Sequence, residues 1–257
     1  MPADDDRLAA ELAEQAGRQL LLLRSRGGDP DDLRKAGDAS SHEFLSAQIA
    51  ARCPGDAILS EEGRDDAARL TSDRVWIVDP LDGTREFGEA GRSDWAVHVA
   101  LWDRGELTAG AVALPAQDRV LSTAEPPDRP EPPQAAAASV HSLRIVVSRS
   151  RPPAYAARVA EDIGATLVPL GSAGAKAAAV VLGQADAYLH DGGQYEWDSA
   201  APVAVALAAG LHASRLDGSK LVYNQASPWQ PDILICPGKL AHRLLTAVGA
   251  VRPTGPE

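Results

Sequence analysis

The sequence predicts a mixed α/β fold in which helices and sheets are stacked in layers. Three observations support this prediction. In the first half, short apolar strands run into carboxylates, and Asp103-Arg104-Gly105 is predicted to join two strands as an antiparallel hairpin. From residue 143 onward, strand-like and helix-like segments alternate. The chain has 257 residues, of which 45% are hydrophobic, so it is long enough to bury a substantial core.

Two helices are predicted near the N-terminus. The first follows three aspartates and ends at Gly27-Gly28. The segment from Arg24 to Asp38 is charged and aperiodic, so we expect a mobile loop that acts as a lid. Ser40 and Glu43 have the spacing of a capping box and predict the start of the second helix, which Pro54-Gly55 ends. The apolar residues at helical spacing in the first helix are Leu8, Leu12, Ala16, Leu20 and Leu23.

Four strands are predicted in the first half, and antiparallel pairing is expected to dominate there. Pro80 lacks a backbone donor, so it is expected to end the second strand and to begin a tight turn. The predicted strands are Ala57–Leu59, Val75–Val78, Trp95–Leu101 and Leu107–Leu114.

A boundary between two subdomains is predicted near residue 142. Residues Glu125–Ala138 are rich in Pro and Ala and lack periodicity, which is typical of a surface loop. Residues 1–142 would then form an N-terminal α+β subdomain, and residues 143–257 a C-terminal α/β subdomain. In the second half, strands are predicted at Leu143–Val147, Thr166–Leu170, Ala185–Leu189 and Ile233–Cys236, and helices at Pro153–Ile163, Ser172–Leu182, Ser199–Ala209 and Leu240–Val248.

Composition argues against several classes of protein. Lys and Arg number 25 against 36 Asp and Glu, so the net charge of −11 would repel a nucleic-acid polymer. The longest aliphatic run, Leu20–Leu23, is far shorter than the ~20 residues of a membrane span. The acidic N-terminus does not resemble a signal peptide. Cys53 and Cys236 are isolated, which argues against a disulfide framework or a zinc site. We expect a soluble cytoplasmic protein.

The most informative segment is Asp79-Pro80-Leu81-Asp82-Gly83-Thr84. A turn would bring Asp79 and Asp82 to one side, where two carboxylates repel each other unless a cation lies between them. Oxygen-only ligands favour Mg²⁺ or another hard cation. Gly83 permits close approach of a ligand to the backbone, and the hydroxyl of Thr84 can hold a water molecule. A turn with two acids is also common without any function.

Acids elsewhere in the chain favour the functional interpretation. Glu61 follows the first predicted strand, and Asp198 lies at the start of a helix. Two metals ~3.5–4 Å apart, held by such acids, would activate a water and neutralise a phosphate. Asp38 and Thr84 could orient that water and accept its proton. Glu62 is expected to be a solvated neighbour of Glu61.

Other candidates carry less information. Gly171-Ser172-Ala173-Gly174 opens a helix and could bind an anion, although such turns often only cap helices. Lys176 lies one helical turn further on and is interpreted equally well as a phosphate ligand or as a solvated side chain. His98 and His212 lie in apolar strands and are expected to be core residues.

Taken together, the motifs resemble the inositol monophosphatase superfamily of Mg²⁺-dependent, Li⁺-sensitive phosphatases. The resemblance covers nearly the whole chain, and it implies an αβαβα sandwich that is usually a homodimer and binds two or three Mg²⁺ ions. The motifs are Ser60-Glu61-Glu62, the block from Trp76 to Thr84, Gly171-Ser172 before a helix, and Trp197-Asp198-Ser199-Ala200-Ala201.

The resemblance also implies roles for individual residues. Glu61, Asp79 and the Leu81 carbonyl resemble one metal site, and Asp79, Asp82 and Asp198 resemble a second. Thr84 with Asp38 resembles the pair that activates water, and Glu61 joins them as a catalytic residue. The residues expected to contact the phosphorylated substrate are Glu61, Leu81, Asp82, Gly83, Thr84, Arg85, Ser172, Lys176 and Asp198.

Within the superfamily, the string Asp-Gly-Thr-Arg-Glu-Phe (82–87) is similar to the 3′(2′),5′-bisphosphate nucleotidase branch, and the whole sequence is similar to actinobacterial CysQ-type enzymes. Such enzymes hydrolyse 3′-phosphoadenosine 5′-phosphate to AMP and phosphate, which clears a by-product of sulfate assimilation. Arg85 could bind the second phosphate, or it could pair with Glu86 or Glu89. Two alternatives remain open: a broad-specificity phosphatase acting on inositol 1-phosphate and fructose 1,6-bisphosphate, and a non-catalytic metal- or nucleotide-binding module.

Overall fold

The computed structural model of the chain describes residues 2–128 and 142–252, and it confirms the predicted α/β class. In this part of the chain, the helices are α1 (Pro2–Ser25), α2 (Pro30–Arg52), α3 (Thr84–Gly88), α4 (Ala156–Ile163), α5 (Ala173–Val181), α6 (Glu196–Ala208) and α7 (Gly238–Val251), with 3-10 helices at Ala67–Thr71 and Pro115–Gln117. The strands are β1 (Ala57–Ser60), β2 (Arg74–Asp82), β3 (Ala96–Asp103), β4 (Glu106–Leu114), β5 (Arg119–Ser122), β6 (Leu143–Ser148), β7 (Ala165–Leu170), β8 (Ala187–Tyr195), β9 (His212–Ser214) and β10 (Trp229–Cys236).

The described strands form two five-stranded sheets. The first sheet has the order β1-β2-β3-β4-β5; β1 is parallel to β2, and the other pairs are antiparallel, as predicted for this half. The second sheet has the order β7-β6-β8-β10-β9, in which β6 is parallel to both of its neighbours and β10 is antiparallel to both of its own.

Helices cover both sheets and fill the space between them. Helices α1 and α2 pack on the outer face of the first sheet, α5 and α6 lie between the sheets, and α4 and α7 cover the outer face of the second sheet. This arrangement is the αβαβα sandwich that the family resemblance implies. The apolar cluster between the sheets joins Leu59 and Ile77 of the first half to Val180, Val203 and Ile235 of the second.

The predicted loop over Arg24–Asp38 is wrong, because most of this segment is helical. Only residues 26–29 separate α1 from α2. Asp29 caps α2 by accepting hydrogen bonds from the next two N–H donors, and Pro30 occupies its first turn, where a missing N–H costs nothing. Ser40 and Glu43 therefore lie inside the helix and do not form a capping box. The predicted lid loses its basis, since Asp38 lies in the middle of α2.

Gly37 explains why the composition was misleading. In most helices glycine is unfavourable, which argues for a loop at the sequence level. Here a Cβ atom on Gly37 would lie 2.8 Å from Cδ2 of Leu81 and 2.9 Å from Cε1 of Phe87. The glycine is therefore required by close packing of α2 against β2 and α3.

The expectation that Pro80 ends its strand is also wrong, because β2 continues to Asp82. The register against β3 shifts within this stretch: Asp79 lies opposite His98, whereas Asp82 lies opposite Ala96. Three steps on β2 thus match two on β3, which is a bulge. Proline is tolerated in strands at such positions, where the ladder is already interrupted.

The remaining elements follow the prediction with shifted ends. The strand predicted to end at Leu189 extends to Tyr195, and α6 begins at Glu196 instead of Ser199. Strands β5 and β9 were not predicted, since each has only three or four residues. Of the predicted loop Glu125–Ala138, residues 129–138 lie outside the described residues. The division into subdomains at residue 142 stays a prediction.

Candidate functional site

Three buried or half-buried carboxylates meet where the end of β2 approaches the first turn of α6. Asp79 and Asp82 come from β2 and Asp198 from α6. One carboxylate oxygen from each of the three lies within 4.8 Å of the others. The structure thus brings together acids that are more than 100 positions apart in the sequence.

Asp82 is held mainly by the second half of the molecule. Its Oδ2 accepts hydrogen bonds from the Ser172 hydroxyl and from the backbone N–H of Gly174 at 2.7 Å, both in the turn that opens α5. Nε2 of His98 lies 3.2 Å from the same oxygen. Burial alone would raise the pKa of Asp82, but His98, Lys176 and Ser172 outweigh it and lower the pKa below its usual range.

The other acids of the cluster have pKa values that are shifted upward. Burial, with repulsion from Glu61, Asp82 and Asp198, raises the pKa of Asp79 well above its usual range. Burial and the charge of Asp82 raise the pKa of Asp198 to about 6. Glu61 directly follows β1 as an exposed residue, yet desolvation of its carboxyl and the charge of Asp198 raise its pKa to about 7.

These shifts test whether the residues suit a metal ion. The carboxylates with raised pKa values retain protons near neutral pH because the positive charge nearby does not offset burial and their mutual repulsion. A divalent cation would supply the missing charge. All of the donors are oxygens, which is the donor set that Mg²⁺ prefers. The cluster therefore fits a hard divalent cation.

Asp38 and Thr84 lie side by side at the edge of this cluster. The Oγ1 of Thr84 is 3.3 Å from Oδ1 of Asp38 and 3.0 Å from the carbonyl oxygen of Leu81, and its single proton can serve one acceptor at a time. Burial and the charge of Glu62 raise the pKa of Asp38 to about 6. The pair has the geometry to share a proton with a third group, such as water.

The backbone at Gly83 comes very close to the second half. Gly83 has φ of 83°, which favours glycine, and a Cβ there would lie 3.1 Å from Cβ of Ser172. Ser172 caps α5 and itself has φ of 47°. The two segments therefore form one wall of a cleft that also contains Asp82 and Asp198.

Lys176 is buried and is already engaged, so it is not a solvated side chain. Its Nζ donates to the carbonyl oxygens of Ser172 at 2.6 Å and Gly171 at 3.2 Å, and it lies 5.3 Å from the centre of the Tyr188 ring. Burial lowers its pKa, although Asp82 and Asp198 oppose this effect. Two of the three N–H donors of the ammonium are thus engaged by backbone carbonyls.

Arg85 is exposed at the mouth of the cleft, and neither ion pair considered from the sequence is formed within the described residues. Glu86 and Glu89 instead bind Arg149, at 2.7 Å and 2.8 Å from its Nη2. The guanidinium of Arg85 is therefore available to a ligand. Arg151, another exposed arginine, lies at the same cleft.

Several groups at the site were missed by sequence reasoning. His98 is fully buried beside Asp82, and His190 is 4% exposed with neither ring nitrogen hydrogen-bonded in the described chain. The amide of Gln194 donates to the Tyr188 hydroxyl at 2.7 Å, while its Oε1 has no hydrogen-bond partner in the described residues. One signal was available: His98 is the one polar residue in a strand face of alanines, next to the strand that carries the acids.

Comparisons with known proteins identify the relatives of this chain. The inositol monophosphatase family matches residues 6–251. The 3′-phosphoadenosine 5′-phosphate phosphatase of Mycobacterium tuberculosis is 53% identical over 247 residues, which cover 91% of this chain and 89% of that protein. The protein of the same name from Mycobacterium leprae is 49% identical and covers 96% and 94%. The 3′(2′),5′-bisphosphate nucleotidase CysQ of Escherichia coli K12 is 31% identical and covers 83% and 91%.

Solved structures share the fold. An IMPase from Thermotoga maritima superposes with a TM-score of 0.77 at 22% identity and covers 96% of this chain and 98% of its own. SuhB of Mycobacterium tuberculosis has a TM-score of 0.75 at 24% identity and covers 98% of both chains. Within the described residues, every helix is too short or too polar to cross a membrane.

Proposed function

The chain belongs to the inositol monophosphatase family, and on this premise we propose that it is a Mg²⁺-dependent phosphatase that converts 3′-phosphoadenosine 5′-phosphate to AMP and phosphate. The observation that carries the proposal is the meeting of Asp79, Asp82 and Asp198 beside a cleft with free arginines at its mouth. Relatives with 49–53% identity over most of the chain bear the name of this activity.

We propose that Glu61, Asp79, the Leu81 carbonyl, Asp82 and Asp198 hold two or three Mg²⁺ ions. When bound, these ions would neutralise the phosphate and make a water molecule acidic enough to attack phosphorus. The residues of the chain fix the position of these ligands: Asp82 is tied to α5, and Oδ2 of Asp198 accepts the N–H of Tyr195 at 2.7 Å.

Asp38 and Thr84 are the proposed proton acceptors. The hydroxyl of Thr84 would orient the attacking water and pass its proton to Asp38, whose raised pKa of about 6 leaves it mostly ionised at neutral pH but basic enough to accept a proton. The oxygen of the water would form the new bond to phosphorus while the bond from phosphorus to O3′ breaks, and O3′ would take up a proton from solvent to become the 3′-hydroxyl of AMP.

The rest of the cleft would bind the substrate. The N–H groups of Gly83 and Thr84, at the start of α3, would bind the phosphate to be removed. Arg85 would bind the second phosphate, which an inositol monophosphate lacks. Ser172 and Lys176 would shape the phosphate site mainly through Asp82 and the α5 turn that they hold.

Phosphate release from three substrates tests the proposal. The protein should hydrolyse 3′-phosphoadenosine 5′-phosphate with a higher kcat/KM than inositol 1-phosphate or fructose 1,6-bisphosphate, and EDTA should stop the reaction. The Arg85→Ala variant should lose roughly 10- to 100-fold in kcat/KM for the bisphosphate nucleotide alone, since charge-assisted hydrogen bonds contribute about 1.5–3 kcal/mol. Arg158→Ala, on the outer helix α4, is the matched control.

Each alternative has its own result in this experiment. If the nucleotide is the poorest substrate, the branch assignment fails, and a broad-specificity phosphatase replaces it. If the protein binds Mg²⁺ but releases no phosphate from any of the three esters, it is a binding module.

The finer proposals that rest on the family resemblance concern assembly, inhibition and location. We propose a homodimer, inhibition by Li⁺ and a cytoplasmic location, with a small phosphorylated molecule as the partner and no nucleic-acid polymer. Sedimentation at micromolar concentration and a Li⁺ titration of phosphate release test the first two. Fractionation of the source cells tests the third.

A further inference from the structure

We propose that His98 is a positioning residue that fixes two metal ligands from opposite halves of the chain relative to each other. The proposal rests on the proposed metal site. His98 lies on β3, is fully buried and faces the layer between the two sheets. Its two ring nitrogens contact two different elements, and each of these elements carries one carboxylate of the cluster.

The first contact reaches the second half of the molecule. Nδ1 of His98 donates a hydrogen bond at 3.1 Å to the carbonyl oxygen of Trp197. Trp197 directly precedes Asp198 in the first turn of α6. Because this carbonyl belongs to the peptide bond between Trp197 and Asp198, the hydrogen bond fixes the backbone position of Asp198.

The second contact reaches the first half. Nε2 of His98 lies 3.2 Å from Oδ2 of Asp82, across the bulge that displaces Asp82 by one residue against β3. Because the imidazole ring is rigid, the distance between its two nitrogens is fixed. The ring thus acts as a spacer between Asp82 and the turn that carries Asp198.

A third element holds the ring in place. A Cβ atom on Gly174 would lie 2.2 Å from Nε2 of His98, so the first turn of α5 packs directly against the imidazole. The N–H of Gly174 also donates to Oδ2 of Asp82. With the Ser172 hydroxyl, three groups converge on this one oxygen of Asp82.

A histidine that merely filled the core would be replaceable by an apolar side chain of similar size. A spacer would not, because removing partners of a metal ligand typically weakens metal binding about 10–100-fold. Three variants separate these roles. His98→Leu removes both contacts, His98→Asn retains a donor near the position of Nδ1, and His98→Gln retains one near the position of Nε2.

The test measures binding of Mn²⁺ to each full-length variant without substrate, by electron paramagnetic resonance of the free ion. We expect His98→Leu to bind Mn²⁺ at least about 10-fold more weakly, and His98→Asn and His98→Gln to fall between it and the wild type. His212→Leu is the matched control, because His212 lies on the edge strand β9 and bonds Ser214 at 2.9 Å. Thermal unfolding without metal identifies any variant that does not fold.

The outcomes are decisive in either direction. If His98→Leu folds and binds Mn²⁺ as tightly as the wild type, His98 is a core residue and the proposal is overturned. If His98→Leu does not fold, the Asn and Gln variants decide, and wild-type affinity in both overturns it. A wild-type protein that binds no Mn²⁺ overturns the metal site and this role together. Weakened binding in the variants supports the spacer even if phosphate release is absent and the phosphatase assignment fails.

Discussion

Asp79 and Asp82 lie three residues apart on one strand and are both buried, yet their surroundings shift their pKa values in opposite directions. Asp79 faces other carboxylates, from Glu61 and Asp198, and its pKa is raised. Asp82 faces the α5 turn, His98 and Lys176, and its pKa is lowered. Neighbouring charges, and not burial alone, decide which acid is ionised. Within the protein, the charge of Asp82 is compensated by its neighbours, whereas Asp79 faces mainly other acids, as expected for a ligand in the proposed metal site.

The largest expected effect is a loss of activity, and it should be similar for the two acids. Asp79→Asn and Asp82→Asn should each lower Mg²⁺-dependent kcat/KM about 10³-fold or more, because each removes a charged oxygen from the proposed metal site, whose ions would stabilise the transition state. Phosphate release at saturating Mg²⁺ measures this effect. Asp217→Asn, in an exposed turn, is the control. Activity above a tenth of the wild type in either variant would contradict the proposed metal site.

The second largest effect is expected for Thr84→Val, at the edge of the acid cluster. Valine keeps the shape but lacks the hydroxyl that lies between Asp38 and the Leu81 carbonyl. We expect kcat to fall about 10²-fold with KM nearly unchanged, because in the proposed mechanism the hydroxyl acts on the water and not on the ester. Steady-state kinetics test this expectation beside Thr71→Val, which removes an exposed hydroxyl on a 3-10 helix. An unchanged kcat would exclude the role.

In the metal-free protein, substitution of the two aspartates should change Tm in opposite directions. Asp79→Asn removes repulsion and should raise Tm by roughly 2–4 °C, the shift that about 1 kcal/mol gives in a chain of this size. Asp82→Asn leaves His98, Ser172 and Lys176 without their anionic partner and should lower Tm. Calorimetry in EDTA measures both. A change of the same sign in the two variants would refute the comparison.

The smallest effect is a pH dependence of stabilisation by Mg²⁺. The folded-state pKa values of Asp198, about 6, and Glu61, about 7, are raised, so between about pH 4 and 7 the folded protein binds more protons than the unfolded chain. The stability that these groups provide is thus present at low pH and decreases as pH rises through that window. Mg²⁺ should therefore raise Tm more at pH 8 than at pH 6. A pH-independent shift would count against these carboxylates as ligands.

The sequence allowed the layers, most elements and the acids of the cluster to be predicted, since these depend on local periodicity and on motifs. The errors concern residues whose meaning comes from distant contacts. Gly37 and Pro80 are residue types that favour loops. Gly37 nevertheless lies in a helix because it packs closely against Leu81, and Pro80 lies in a strand because β2 has a bulge there. The surroundings of His98 and His190 cannot be predicted from local patterns, because the contacts of His98 and the cleft beside His190 are formed by other elements of the chain.

The close approach at Gly37 has a consequence for the residue that follows it. A helix that leaves no space for a methyl group above Leu81 and Phe87 cannot slide or rotate by even a fraction of a turn without collision. Because Gly37 holds α2 in place, the backbone of Asp38 is rigid relative to β2 and α3. The distance between Asp38 and Thr84 is therefore set before substrate binds. The missing side chain at Gly37 thus sets the precision with which the proposed water-orienting pair is placed.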